Sequence, residues 1–138
     1  MVYSHIFLDS DIILDMFFER YPFSEYTKLL LIECKNRDIK VSTSAIVIAN
    51  LNYILSKKLG KTETREKIKE LIKWLNILSV ESMAIEKGLN SNFSDLEDAF
   101  QHFTAERFEC QAIITRNIKD YKHATLPVLS AEQFLRSI

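Results

Sequence analysis

The sequence predicts an α/β fold, a three-layer α/β/α sandwich around a mostly parallel central sheet. Two observations carry this. Short apolar runs that suit strands alternate with longer runs of helical spacing along all 138 residues, as a sheet covered by helices requires. The first such run, Ile6-Phe7-Leu8, also stops on Asp9 and passes directly into the helix-spaced Ile12, Ile13, Met16 and Phe17. In an open α/β sheet, ligands bind in the crevice beyond the carboxyl ends of the strands. Residues 5–15 therefore set a carboxylate at the place where such a fold meets its ligand.

The remaining elements follow in order. The first helix runs over about 11–20 and breaks at Tyr21-Pro22, because the residue before proline avoids the helical region. Pro22 suits the start of a second helix that continues to about Arg37. Phe17, Phe18, Phe23 and Tyr26 cluster at this junction and read as packing between the two helices. Residues 39–43 alternate apolar and polar, as a second strand does. Ser44 is placed to cap a helix through Leu51 and Leu55 that is apolar over most of its surface near its start, and so predicted to be central. Gly60 ends it. The next helix opens at about Thr62, with Ile68, Leu71, Ile72 and Leu75 on one face. A third strand over 77–80 and a helix over 82–89, interrupted near Gly88, come next. Asn92-Phe93-Ser94-Asp95 has capping character and starts a helix to about Arg107. Residues 112–115 make a fourth strand and Pro127-Val128-Leu129 a short edge strand. Ser130 then caps the closing helix. No repeat, low-complexity tract or linker divides the chain, so a single domain over 1–138 is expected.

Composition narrows the function. Hydrophobic residues make up 47% and charged residues 27%, an ordinary globular balance. With only two glycines, a glycine-rich phosphate loop is excluded. The longest apolar runs are too short to span a bilayer, and no signal-peptide core opens the chain; cytoplasm is the expected compartment and no membrane partner is expected. Cys34 and Cys110 read as reduced, semi-buried residues, and no Cys/His spacing suggests zinc. A net charge of -1 argues against coating nucleic acid by bulk attraction. The lysine-rich stretch over 57–73 is diluted by Glu63, Glu66 and Glu70, which favours a solvated helix face over a phosphate-contacting patch.

The chemistry lies in the acids. Asp9 ends the first strand, Asp98 lies near a helix start, and Asp120 lies just past the fourth strand in the loop holding Thr115 and Asn117. Each alone has a structural reading, as a helix cap, a helix-dipole partner or a turn residue. Together at one sheet edge they repel and call for a hard divalent cation with oxygen ligands, Mg2+ or Mn2+. Such a site activates water and neutralises charge developing on a phosphodiester. Thr115 and Asn117 are placed to orient a water or a phosphate oxygen. The D-S-D at 9–11 also permits a haloacid-dehalogenase-type phosphatase, with Asp9 as nucleophile and Asp11 as general acid. The chain leaves little room for that family's cap, and no convincing lysine motif follows.

Four segments resemble the PIN domain, close to the VapC-like toxins of bacterial toxin–antitoxin pairs. They are F-L-D-S-D-I-I-L-D at 7–15, S-T-S-A-I-V-I-A-N-L at 42–51, S-D-L-E-D-A-F-Q at 94–101 and I-I-T-R-N-I-K-D-Y at 113–121. The closing P-V-L-S-A-E-Q-F-L is similar to the family's last strand and helix, so the resemblance spans essentially the whole chain. It implies a metal-dependent endoribonuclease acting on RNA. Asp9 then matches the family's first acid, Asp98 its third, and Asn117 and Asp120 fall in its fourth acidic segment. Asp9, Asp98 and Asp120 become the expected catalytic and metal-binding set, supported by Asp11, Asn50, Thr115 and Asn117. Asn50 stands where the family often has glutamate, Asn117 where it often has aspartate, and Asp11 where asparagine is common. An amide brings no charge, so a PIN-like domain that binds RNA or a protein without cutting it is the alternative. The resemblance also implies a small antitoxin that blocks the site, seated in an apolar groove between the first helices. A homodimer through the aromatic-rich first helices is a candidate assembly.

Overall fold

The computed structural model describes residues 3–138. Its sheet has five strands: β1 His5–Leu8, β2 Lys40–Ser44, β3 Asn76–Leu78, β4 Ala112–Ile114 and β5 Val128–Leu129. They lie in the order β3-β2-β1-β4-β5, and all four pairings are parallel. The helices are α1 Ser10–Phe17, α2 Phe23–Asn36, α3 Ala45–Leu59, α4 Lys61–Leu71, α5 Ser82–Leu89, α6 Leu96–Arg107 and α7 Ala131–Ser137. Every residue of β1 and β4 is buried, as a parallel sheet covered on both faces demands.

The strand order fixes where a site can form. From β1 the chain moves outward to β2 and β3, then returns to the other side of β1 for β4 and moves outward again to β5. The direction of winding therefore reverses between β1 and β4, and the connections leaving their carboxyl ends diverge. That divergence opens the crevice in which doubly wound sheets hold ligands. Asp9 follows β1 and Thr115 follows β4, so both stand at its mouth.

Local signals explain most boundaries. Asp9 caps α1, accepting from the Ser10 N–H, so the helix begins one residue earlier than its spacing predicts; it also ends earlier, at Phe17. Ser44 caps α3 by accepting from the Val47 N–H, and Gly60 ends that helix at φ 83°, a conformation glycine adopts without cost. Ser130 and Gln133 form a full capping box on α7. β3 lies at Asn76–Leu78 rather than 77–80, set by its register against Ser42, Thr43 and Ser44.

Three expectations need correction. α3 is not central: it buries the single stripe Val47, Leu51 and Leu55 and exposes Tyr53 and Ile54. α5 is not interrupted at Gly88. That residue is needed for close approach, since a Cβ there would lie 2.7 Å from the Phe100 ring of α6. Cys34 and Cys110 are free thiols and fully buried rather than semi-buried. The basic stretch is indeed a solvated face. On α4, Lys69 pairs with Glu66 and, just past its end, Lys73 pairs with Glu70, all well exposed. Among the described residues no helix is long and apolar enough to cross a membrane.

Candidate active site

Asp9 leaves β1 with its N–H still donating to the Ile114 carbonyl, 3.0 Å away, so the sheet ladder itself positions it. On the other side the Thr43 hydroxyl donates to the Leu8 carbonyl at 2.8 Å. The carboxylate is 6% exposed. Oδ1 accepts from the Ser10 N–H at 2.8 Å; Oδ2 lies 3.1 Å from the Thr115 hydroxyl and accepts from the Tyr121 phenol at 3.0 Å. All three donors are neutral. Burial pushes the Asp9 pKa up against their pull, and the negative charge of Glu97 pushes it further.

Asp11 sits on the first turn of α1 and faces the same place. Its Oδ2 accepts from the Arg116 N–H at 2.9 Å and lies 3.2 Å from the Thr115 hydroxyl. That hydroxyl has one proton and two carboxylates within reach. Burial and the neighbouring Asp9 raise Asp11 to about 6. Asn117 enters through its backbone, whose N–H donates to Thr115 Oγ1 at 3.1 Å.

Asp98 arrives from α6, where Asp95 caps the helix and accepts from the Asp98 N–H. Burial raises its pKa to about 7, helped by repulsion from Asp9, Asp95 and Asp120 and opposed by the nearby Tyr121 phenol. Asp120 lies exposed on the one-turn 3-10 helix Ile118–Tyr121, close enough to act on Asp98 by charge. Asn50, on α3, donates its side-chain N–H to Glu97 of α6. The structure thus ties Asp9, Asp11 and Thr115 together by hydrogen bonds, brings Asp98 close enough to act on Asp9 by charge, sets Asp120 at the rim, and places Asn50 against Glu97.

Two residues escaped the sequence reading. Tyr121 is 2% exposed and donates to Asp9 near Asp98; burial beside those carboxylates holds its phenol protonated. Its signal was available, since an aromatic with a polar tip directly after Asp120 reaches inward if Asp120 faces out. Glu97 looked like any acid in a first helical turn.

The donor set suits a hard cation. Carboxylate, hydroxyl and amide oxygens are what Mg2+ and Mn2+ take, and Mg2+ keeps several waters while holding one or two carboxylates. Among the described residues no three acid, imidazole or thiol side chains stand close enough to share one ion directly. The arrangement therefore fits an ion held by one or two carboxylates, with the others acting through water.

The sequence profile of the PIN domain matches residues 5–119. Ribonuclease VapC1 of Aquifex aeolicus (strain VF5) is 29% identical over 134 residues, covering 94% of this chain and 92% of that protein. The VapBC-1 structure from nontypeable Haemophilus influenzae shares the fold at a TM-score of 0.71 and 15% identity, covering 94% of this chain and 99% of that one. A toxin–antitoxin complex from Klebsiella pneumoniae does so at 0.68 and 20%, covering 91% and 97%. At such identities these structures speak to fold alone, and to the same five-stranded parallel sheet. The profile match extends from β1 into the turn that carries Tyr121, which includes every acid of the crevice except Asp120, and on that ground the chain belongs to the PIN domain family.

Proposed function

We propose that this chain is a metal-dependent endoribonuclease that hydrolyses RNA phosphodiester bonds as the toxin of a toxin–antitoxin pair, working in the cytoplasm as one domain over residues 1–138. One observation carries this reading: acids from β1, α1 and α6 meet at the winding reversal, and no cationic side chain pairs with Asp9, Asp11 or Asp98 among the described residues. The relative named Ribonuclease VapC1 supports the activity.

A bound Mg2+ or Mn2+ supplies positive charge to a phosphodiester oxygen and makes water more acidic. The protein's own groups do the rest. Asp9 is held in one orientation by the Ser10 N–H, Thr115 and Tyr121, and so presents a fixed anionic edge to the crevice. Asp98 is the expected proton acceptor. Set beside Asp9 by the first turn of α6, its carboxylate is placed to accept from a water in the crevice. Asp120, exposed at the rim, would add negative charge to the mouth of the crevice and could accept from a water there.

The partner reading rests on a groove of about 610 Å3 lined by Met16, Phe17, Leu31, Ile32, Leu71 and Trp74. It lies between α2 and α4 at the end of α1, with Lys28, Glu63, Glu66, Lys67 and Glu70 also lining it. A helix with an apolar stripe and charged flanks is the chemistry it fits, which suits an antitoxin segment.

The direct test is cleavage of single-stranded and structured RNA with Mg2+ or Mn2+, compared with Asp9→Asn and Asp98→Asn. A loss of more than about 100-fold is expected in each, since even partners of metal ligands cost about 10–100-fold. Cleavage by the variants equal to the parent would remove this crevice from the reaction. RNA binding without cleavage by the parent would favour the non-catalytic reading that Asn50 invites.

A further inference from the structure

α6 brings Asp98 close to Asp9, and four residues on, the same side of the helix carries His102. The ring is 1% exposed. Its Nε2 accepts from the Thr125 N–H at 3.0 Å. The Thr125 hydroxyl, 3.2 Å from Nε2, gives its proton to Glu106 at 2.8 Å, so the amide is the donor to the ring. A ring that accepts at Nε2 is neutral and carries its hydrogen on Nδ1. Burial lowers the His102 pKa against the pull of Glu106, which keeps the ring in that form. Nδ1 is buried with no partner. A leucine or phenylalanine would fill the same space without burying an orphan donor, so the acceptor at Nε2 is what a histidine adds here.

Thr125 lies in the irregular segment between the 3-10 helix Ile118–Tyr121 and β5. One residue earlier, the Ala124 N–H donates to the Tyr121 carbonyl at 2.9 Å. The Phe93 ring stands 5.3 Å from the His102 ring and 6.1 Å from the Tyr121 ring, edge to face against the latter. Backbone and ring contacts thus both lead from His102 to the residue whose phenol donates to Asp9 at 3.0 Å. We infer that His102 is a positioning residue of the crevice: it fastens the segment after Tyr121 to α6 and thereby sets the phenol against Asp9. The inference rests on the ribonuclease reading above and deepens it. The effect of His102 on the acids passes through Tyr121.

The test is Mn2+ affinity, by titration calorimetry, in a cycle with Tyr121→Phe. His102→Leu fills the space and removes the acceptor, and should weaken Mn2+ binding about fivefold, within the range for coupled neighbours. His102→Gln offers a side-chain carbonyl to the Thr125 N–H and should recover most of that loss. In the Tyr121→Phe background His102→Leu should cost nothing further, because no phenol is left to place. A ring that only supported the fold would add its loss in either background. In the parent, nitrogen NMR should find the His102 hydrogen on Nδ1 and none on Nε2. The inference falls if Nε2 carries the hydrogen, if His102→Gln binds as weakly as His102→Leu, or if the His102→Leu loss persists without the phenol. If His102→Leu binds Mn2+ like the parent while Asp9→Asn does not, the inference falls and the ribonuclease reading stands. If the parent binds no Mn2+, the crevice is no metal site and both fall together.

Discussion

Two buried aspartates, Asp9 and Asp15, sit six residues apart at the two ends of α1 and are treated in opposite ways. Asp15 is fully buried and fully paired in charge. Arg116 places Nε 2.7 Å from Oδ2 and a terminal nitrogen 2.8 Å from Oδ1, and Arg20 adds a contact at 3.3 Å. The Arg116 guanidinium also lies 4.3 Å from the centre of the Phe23 ring, tying α2 to the same knot. Asp9 is buried almost as deeply and receives only neutral donors. The fold thus has a ready device for neutralising a buried acid, and uses it next door. An acid denied that device at the winding reversal is held ready for a cation from outside.

The contrast predicts opposite responses. Arg116→Ala leaves Asp15 buried with Arg20 alone, and should cost about 3 kcal/mol of stability in urea denaturation, the low end for a broken buried pair. A loss below about 1 kcal/mol would put the two aspartates on the same footing. Asp9→Asn removes the uncompensated charge and should leave the metal-free protein as stable as the parent or more so, although RNA cleavage drops more than about 100-fold. Tyr121→Phe deletes the phenol that donates to Asp9 and should reduce Mn2+ affinity about tenfold with little change in fold. Unchanged affinity would reduce the phenol to packing.

The pH response sharpens the same point. The Asp98 carboxyl is raised from 3.8 to about 7, so the folded protein binds this proton more tightly than the unfolded chain does. Stability of the metal-free protein should therefore fall as pH rises from about 4 to about 7, then level off. Asp11, raised to about 6, pulls in the same direction. Saturating Mg2+ or Mn2+ should flatten this slope in thermal melts, because the ion replaces the protons. A melting temperature that climbs over this window without metal would contradict the repulsion described above. The smallest expected change is optical. Trp74 is the chain's one tryptophan and lines the apolar groove, so an antitoxin helix seated there should shift its emission to the blue, and Ile32→Asp should abolish the shift.

Much of the fold could be read from the residues because its signals are local. The stop at Asp9, the Ser44 and Ser130 caps and the Gly60 terminus each need only a few neighbours to be recognised. Alternation of strand and helix gave the layers but not the strand order, which depends on where β4 inserts. The site divides in the same way. Asp9 and Asp98 announce themselves at element ends, whereas the partners that give them their character are distant: Tyr121 is 112 residues from Asp9, and Glu97 is 47 from Asn50. The exposure of Asp120 and the strong engagement of Asp11 turn on side-chain direction, which spacing does not encode.

The middle strand of the sheet is the first to leave the ribosome, and its neighbour β4 is among the last. Asp9 is therefore made more than 100 residues before Thr115 and Tyr121 exist to hold it. The first acid is thus laid down well before the groups that orient it, and the site is complete only once β4 has been inserted beside β1.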